Sequence, residues 1–271
     1  MDRLTGLLQH FRLQARVFNN GPLCTASSHG SDEEVGYIHI LKQGNLRLEF
    51  PGRRARVIQE PTIVFLPKPT SHRLVPGPEG AHTVCGTFSF GPVTANPLQQ
   101  AFDTPVVLPL GSLPSLEKTL DLLFEEAFTR RCGQQTALDR LCELVIIQLI
   151  RHLMDHKKVD MGLLAGLADS RLSKALMAMH ERPSEAWTLS RLAERAGMSR
   201  ARFAATFRST IGQTPGGYLA CWRICLAQSL LRRGQPLDFV AHSVGYSGPP
   251  ALARIFKQQL GQSPTQWLKH I

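Results

Sequence analysis

The chain of 271 residues has room for two domains and an ample core, and its 43% hydrophobic share is ordinary for a soluble protein. No stretch approaches the roughly 20 apolar residues that a membrane-spanning helix needs, residues 1–16 carry charges through their apolar part unlike a secretory leader, and six cysteines in such a chain are not a disulfide framework. The net charge of +10 is gathered at one end: residues 169–271 hold 14 Lys/Arg against 5 Asp/Glu, whereas 1–110 hold 10 against 8 and 111–168 hold 7 against 8. These features predict a cytoplasmic protein without a membrane partner whose C-terminal third meets a polyanion.

In chain order, residues 1–16 read as a short amphipathic helix with Leu4, Leu7, Leu8 and Phe11 on its apolar side. From about 22 to 110, β-branched and aromatic runs such as GYIHILKQG, TIVFLPKP and HTVCGTFSFGP alternate with Gly/Pro turns. Strands so punctuated predict an antiparallel barrel or sandwich, with a hairpin turn at Phe50-Pro51-Gly52-Arg53. Residues 113–129 and 134–157 read as amphipathic helices, the second with an apolar stripe of Leu138, Leu141, Leu144, Val145 and Leu149. A looser segment, 158–169, leads into a basic region of seven helices. There Thr188 is placed to cap 189–196, Ser199 to cap 200–211, and Gly212 to close that helix in a left-handed conformation. A long helix over 215–233 bridges to helices at 237–244 and 249–260. The class is α+β, in three parts: a barrel over 1–112, a helical linker over 113–168 and an all-α domain over 169–271.

The all-α region repeats itself. With Phe203 aligned to Leu252, Phe207 meets Phe256, Arg208 meets Lys257, Gly212 meets Gly261, Pro215 meets Pro264 and Tyr218 meets Trp267, at a constant offset of 49 residues. A unit of helix, tight turn and helix used twice is the pattern of a protein that lays two helices into successive major grooves of duplex DNA, roughly 34 Å apart. In 200–211, Phe203, Phe207 and Ile211 face inward, leaving Arg200, Ala201, Ala204, Ala205 and Arg208 outside; in 249–260, Leu252, Ile255, Phe256 and Leu260 face inward, leaving Arg254 and Lys257. A helix N-terminus capped by Ser199 can also receive a phosphate. Arg254 is the residue best suited to a base, because Arg reads guanine O6 and N7 bidentately, while Arg208 and Lys257 equally suit phosphates.

The runs LxxLAxxAGMSRxRFxxxFRxxIGQTPGGYL and VAxxVGYxxxxxLxRxFKQQLGQSPxxW resemble the AraC/XylS regulators over about 170–271. The resemblance implies two helix-turn-helix units that touch DNA at Ala201, Ala204, Ala205 and Arg208 of the first and Arg254 and Lys257 of the second. It further implies a homodimer, RNA polymerase as partner and a transcriptional regulator of the activating kind. The sequence departs from the family at Gly248-Pro249-Pro250, where a polar cap and groove-facing polar residues are usual, and at Leu252, where an aromatic is usual. Proline is tolerated in a first turn but donates nothing to bases. The first unit, with an alanine-rich face suited to thymine methyls, is therefore expected to carry more of the specificity.

The N-terminal strands resemble the cupin barrels fused to many such regulators, with PTIVFLPKPTSH ending at His72. More narrowly, MDxLxxLL, Cys24, His39 followed by LKQG, FLPKPTSHRL and VCGTF with Cys85 resemble the branch that senses reactive chlorine in enteric bacteria. That resemblance implies Cys24 and Cys85 as redox residues, and Cys24, His39, His72 and Cys85 as a sensing set, chemically a reasonable tetrahedral zinc set. Their spacing carries no local ligand signature. A barrel cysteine is equally a core residue, His72 equally a solvent-facing hydrogen bonder, and His29 and His82 read as surface residues. Two other functions remain as alternatives: a small organic effector held in the barrel, and a metal-cupin enzyme. Against the enzyme, His39 has no HxH partner, and no triad, P-loop or dinucleotide fingerprint is present.

Overall fold

The computed structural model describes residues 2–11, 13–31, 35–91, 104–156 and 161–269. The class is α+β, and the chain divides into a sheet unit (13–91 and 104–156) and a helical unit (2–11 and 161–269).

The sheet unit is antiparallel. Its strands are β1 (Gln14–Leu23), β2 (Ser27–His29), β3 (Gly36–Glu49), β4 (Arg56–Ile58), β5 (Thr62–Leu66), β6 (His72–Ser89) and β7 (Val106–Pro109). They run in the order β1-β6-β3-β5-β7, with β2 on β6 and β4 on β3. The turn at Phe50-Pro51-Gly52-Arg53 forms as expected, with Arg53 N donating to Phe50 O at 3.2 Å. The two longest strands, β3 and β6, are bent where their register slips between Leu41 and Gln43 and between Gly44 and Leu46. Gly44 (φ +94°) is required at that bend: a Cβ there would lie 2.5 Å from Gly80 O. The bend turns Tyr37, Leu41, Leu46, Leu48, Val64, Leu74 and Cys85 toward one another as a core. On the other face Phe65 stacks on Phe88 at 4.7 Å, and Phe90 meets Phe88 edge-on at 5.5 Å.

Helices α2 (Glu117–Phe128) and α3 (Gln134–Asp155) form where the apolar periodicity placed them. Their role differs from the expected linker, because they complete the sheet unit. Strand β1 is an edge, with no strand on its outer side among the described residues, and α3 supplies the missing partners. Asp139 Oδ1 accepts from Val17 N at 2.8 Å, Glu143 Oε1 accepts from Ala15 N at 3.3 Å, and Gln135 Nε2 donates to Val17 O at 2.8 Å. An edge strand presents unpaired backbone groups that must be covered, and polar side chains at i, i+4 and i+8 of one helix do so here. The buried stripe is correspondingly rotated: Leu138, Cys142, Val145, Ile146 and Leu149 are buried, whereas Leu144 is exposed.

In the helical unit, α4 (Leu163–Ala168), α5 (Leu172–Glu181), α6 (Leu189–Arg195), α7 (Arg200–Ile211), α8 (Pro215–Arg232), α9 (Leu237–Ser243), α10 (Pro249–Leu260) and α11 (Pro264–Leu268) succeed one another. Of the segment read as loose, 161–169 is described and includes α4; residues 157–160 lie outside the described residues. The N-terminal helix α1 (Thr5–His10) belongs here rather than with the barrel. Its stripe buries Leu4, Leu7 and Phe11. Phe11 meets Trp222 edge-on at 5.3 Å, and Arg3 Nη1 donates to the open carbonyls of Leu167 (2.8 Å) and Ala168 (3.3 Å) at the end of α4. The first domain boundary is thus corrected: residues 2–11 are part of the helical core.

All three tryptophans, 187, 222 and 267, lie in the helical unit, so tryptophan fluorescence reports that unit. Phe11→Ala removes a buried ring and should cost about 3–5 kcal/mol. The expected result is a lower urea midpoint by tryptophan fluorescence, and an unchanged midpoint would refute the placement of α1.

Candidate functional site

The two repeated units are built alike. Thr188 Oγ1 accepts from Arg191 N (3.3 Å) at the start of α6, and Ser199 Oγ accepts from Arg202 N (3.4 Å) at the start of α7. Phe207 of α7 packs edge-on against Tyr218 of α8 at 5.8 Å and 71°; its repeat equivalent Phe256 of α10 packs against Trp267 of α11 at 5.7 Å and 66°. The sequence repeat is therefore a repeated aromatic contact that ties α7 to α8 and α10 to α11. Phe203, Phe207, Leu252 and Phe256 are buried, while Ile255 and Leu260 are half-buried. Ser199, Arg200, Ala201, Ala205, Arg208, Arg254 and Lys257 are exposed, and Ala204 is half-buried. Every residue assigned to DNA thus faces away from the core. Pro249 and Pro250 occupy the first turn of α10, which forms without a side-chain cap, as the fixed φ of proline permits.

The element that fixes one unit to the other is Arg223, on the bridging helix α8. Its Nε donates to Pro183 O (2.7 Å) and its Nη2 to Glu185 O (2.9 Å), both in the loop before α6; its Nη1 donates to Gly245 O (3.3 Å), in the turn between α9 and α10. The sequence placed Arg223 only within the bridging helix read over 215–233.

In the sheet unit, the four residues expected to converge do not all do so. His39 and His72 meet, Nε2 to Nε2 at 2.8 Å. The third member of their cluster is His29, which sequence reading placed on the surface: its ring stacks on that of His72 at 4.8 Å and lies 5.2 Å from that of His39. One ligand atom from each of the three lies within 4.8 Å of the others. Cys24 and Cys85 stand outside this group. Cys24 is exposed, just past the end of β1. Cys85 is buried in the core, in register with Asn19 on β1 and with His39 on β3. Cys24 lies five residue steps beyond Asn19, about 16 Å along extended chain, so the two sulfurs are beyond disulfide reach, which ends near 7 Å between Cα atoms. The pairing of Cys24 with Cys85 and the mixed Cys/His ligand set are corrected accordingly for this conformation.

The electrostatics agree with that division. Burial, then the charge of His72, lowers His29 to about 4. Burial, then His72 and His29, holds His39 well below the usual imidazole range. Burial lowers His72 as well, opposed by its hydrogen bond to the Thr70 carbonyl. The cluster is thus neutral near pH 7, with one N–H shared between the Nε2 atoms of His39 and His72. Burial pushes the Cys85 thiol up to about 12, against weaker opposing hydrogen bonds from Thr83 and Asn19, so it is a protonated core residue rather than a thiolate. The core positions around it, Leu41, Leu46, Leu48 and Leu74, are filled and fully buried, which disfavours an organic effector at that place.

No simple signal marked His29: it ends a three-residue strand, SSH, without hydrophobic alternation, and only its pairing opposite His72 identifies it.

A Cupin family model matches residues 2–155, and a model of a Helix-turn-helix domain matches residues 192–270. A putative AraC-like transcription regulator of Streptomyces antibioticus is 35% identical over 189 residues, which cover 68% of this chain and 62% of that protein. The RCS-specific HTH-type transcriptional activator RclR of Escherichia coli (strain K12) is 28% identical over 282 residues, covering 100% of this chain and 98% of that one. An uncharacterized HTH-type transcriptional regulator of Haemophilus influenzae is 26% identical, with 90% of each chain covered. The chain belongs to the AraC-like transcription regulators with an N-terminal cupin domain.

This regulator therefore joins a cupin unit, with α2 and α3 inside the span of the family match, to a double helix-turn-helix unit. It spans 62% of the length of the Streptomyces relative. The proteins it is similar to are named as regulators, in line with the expectation that it is not an enzyme. Among the described residues, no helix is long and apolar enough to cross a membrane.

Arg223→Met leaves three backbone carbonyls without a charged donor and should destabilise the helical unit by about 2–4 kcal/mol; denaturant unfolding read by tryptophan fluorescence checks it. In native protein, brief alkylation and then peptide mass spectrometry should label Cys24 and Cys132, which are exposed, and spare Cys85, Cys142 and Cys225, which are buried. Equal labelling of Cys85 would contradict its placement in the core.

Proposed function

We propose that this regulator binds duplex DNA sequence-specifically through α7 and α10 and that its cupin unit carries the signal, an oxidant. The observation that carries the DNA reading is the pair of like-built helices whose exposed faces hold Arg200 and Arg208 on one, and Arg254 and Lys257 on the other. In this reading Ala201, Ala204 and Ala205 lie against thymine methyls, Arg254 reads a guanine edge, and Arg208 and Lys257 hold phosphates. The Ser199-capped start of α7 offers backbone N–H groups to a further phosphate. The regulator acts as a homodimer and as an activator that engages RNA polymerase.

The oxidant reading draws on RclR, which is named as RCS-specific, and on the position of Cys24. This exposed thiol lies in the short connection between β1 and β2, five residues before His29. Hypochlorous acid would take its sulfur to the sulfenic acid, with chloride and a proton as the other products. The new polar group then alters the connection that positions β2.

Quantitative footprinting tests the first half. Arg254→Ala should weaken binding to the specific operator by about 1–3 kcal/mol and relax selectivity at one base pair. Arg208→Ala should weaken binding to all sequences alike and lower the salt slope by about one. If neither variant changes affinity, α7 and α10 are not the reading helices. For the second half, Cys24→Ser should bind DNA as the parent does but lose its response to hypochlorous acid in a reporter assay; a retained response removes Cys24 from the mechanism.

A further inference from the structure

We propose that the cleft beside α7 is a binding site for an apolar monocarboxylate, and that this ligand and duplex DNA exclude one another. The exclusion rests on the reading of α7 proposed above; the binding site does not.

The cleft offers about 500 Å³ where α6, α7 and α8 meet, a volume in the range of small-molecule sites. Trp187, Leu189, Leu192 and Leu219 line it, together with Ala204, Ala205 and Arg208 of α7 and the first turn of α8. Small residues keep it open. Gly216, in that first turn, borders the cleft, and a Cβ there would meet nothing within 4 Å.

The residues that open the cleft are not required by the repeated architecture. Thr188 and Pro236 immediately precede α6 and α9, so Gln235 stands where the first unit has Trp187. At the offset of 49, Arg254 stands in place of Ala205 and Thr265 in place of Gly216. The basic position is kept, Arg208 in one unit and Lys257 in the other. The first unit alone therefore combines small residues, an indole and a cation at this place.

The apolar wall is held before any ligand arrives. Trp187 Nε1 donates to Arg182 O at 3.0 Å, and the guanidiniums of Arg182 and Arg191 lie 5.4 and 5.0 Å from its ring centre. Both of those cations are paired with Glu185. Leu189 is 42% exposed at the start of α6, and a ligand that covers it takes apolar surface out of water.

One group sets the sign of the ligand. Arg208 is the charged residue of the lining, exposed and without a carboxylate partner among the described residues. The N–H of Gly216 has no carbonyl partner within α8, and the partial positive charge of that terminus adds to the guanidinium. An apolar body with a single carboxylate matches walls and cation together. A free phosphate would leave the walls uncovered, and an amine would face a like charge. Because Ala204, Ala205 and Arg208 are also the contacts proposed for α7 on DNA, a ligand seated here covers the atoms that the duplex needs.

The test is calorimetric titration of the full-length protein with 2-naphthoate, with octanoate, and with 2-naphthamide as the uncharged counterpart. The expected result is one site per chain, with the naphthoate bound at least about tenfold more tightly than the amide. Arg208→Gln should erase that difference. Gly216→Leu places a side chain in the open space at a helical position and should abolish binding of all three; circular dichroism confirms that both variants are folded. Fluorescence anisotropy then uses a labelled duplex selected for tight binding from random sequence. Saturating naphthoate should weaken DNA binding at least about tenfold in the parent and leave it unchanged in Gly216→Leu. No binding of either carboxylate, equal binding of acid and amide, or undiminished binding in folded Gly216→Leu would overturn the site. A change of association state on Gly216→Leu, read by sedimentation, assigns the cleft to a second copy of the chain and overturns it too. Carboxylate binding that leaves DNA affinity untouched overturns the exclusion alone, and the footprinting of Arg208→Ala then tells whether the DNA reading of α7 has failed with it.

Discussion

Two helices can read one face of duplex DNA only if their separation is fixed, because successive major grooves recur at about 34 Å. In this chain the fixing element is a single guanidinium. Arg223 lies on the helix that bridges the repeats and binds three carbonyls, two from the loop that opens the first unit and one from the turn of the second. Lysine could not replace it, since three donors in a rigid planar fork meet three acceptors in fixed directions. Its charge is half-buried, and burial pulls its proton affinity down, but the carbonyls and the ring of Tyr246, 5.5 Å away, compensate. The neighbouring backbone is fitted as closely. A Cβ on Gly245 would stand 2.7 Å from Ser184 Cα and 2.8 Å from Arg223 Nη2, so the turn of the second unit and the loop of the first touch without a side chain between them. The base-edge and phosphate contacts proposed for α7 and α10 presuppose this arrangement.

The helical unit was largely legible in the sequence because its determinants are local. Phe203 and Phe207, or Leu252 and Phe256, lie four apart and so share a face by helical geometry alone; Thr188 and Ser199 cap within three residues. The repeat doubled the information, since each aligned pair could be checked against its partner. The non-local contacts escaped. The stripe Leu4, Leu7, Phe11 was visible, but nothing in it says that its partner is Trp222, more than two hundred residues away. The apolar face of α3 was visible too, but not that its polar face was written to complete an edge strand. Asp139 and Glu143 look like ordinary solvated carboxylates until β1 is in place beneath them.

The cupin unit shows the same limit in sharper form. His39 pairs in register with Cys85, thirteen residues along β6 from His72, a distance of about 43 Å on a straight strand. A ladder alone would keep the two histidines apart. They meet because β3 and β6 bend at two register shifts, so that the far ends of the same pair of strands curl toward each other. The pairing of His39 with Cys85 puts both on a common face, but a face is not a site. The bend decides which members of that face converge, and it chose the histidines. The third came from a strand too short to carry any periodicity.

Why the cluster excludes the nearer cysteine has a physical answer. Next to His39 in the ladder, Cys85 sits among Leu41, Val64 and Leu74, where a thiol costs little and a thiolate much. Near the histidines the walls are aromatic, His39 and His72 are buried and His29 is half-buried, and neutral imidazoles are the stable form there. One strand pair thus holds two environments side by side, one that silences a nucleophile and one that keeps imidazoles neutral. The same contrast explains the thiol outside the barrel. Cys24 is the cysteine that lies next to the short strand of His29 and is also exposed. That sulfur stands one residue past the end of β1 and three residues before β2, in the connection that joins the two strands.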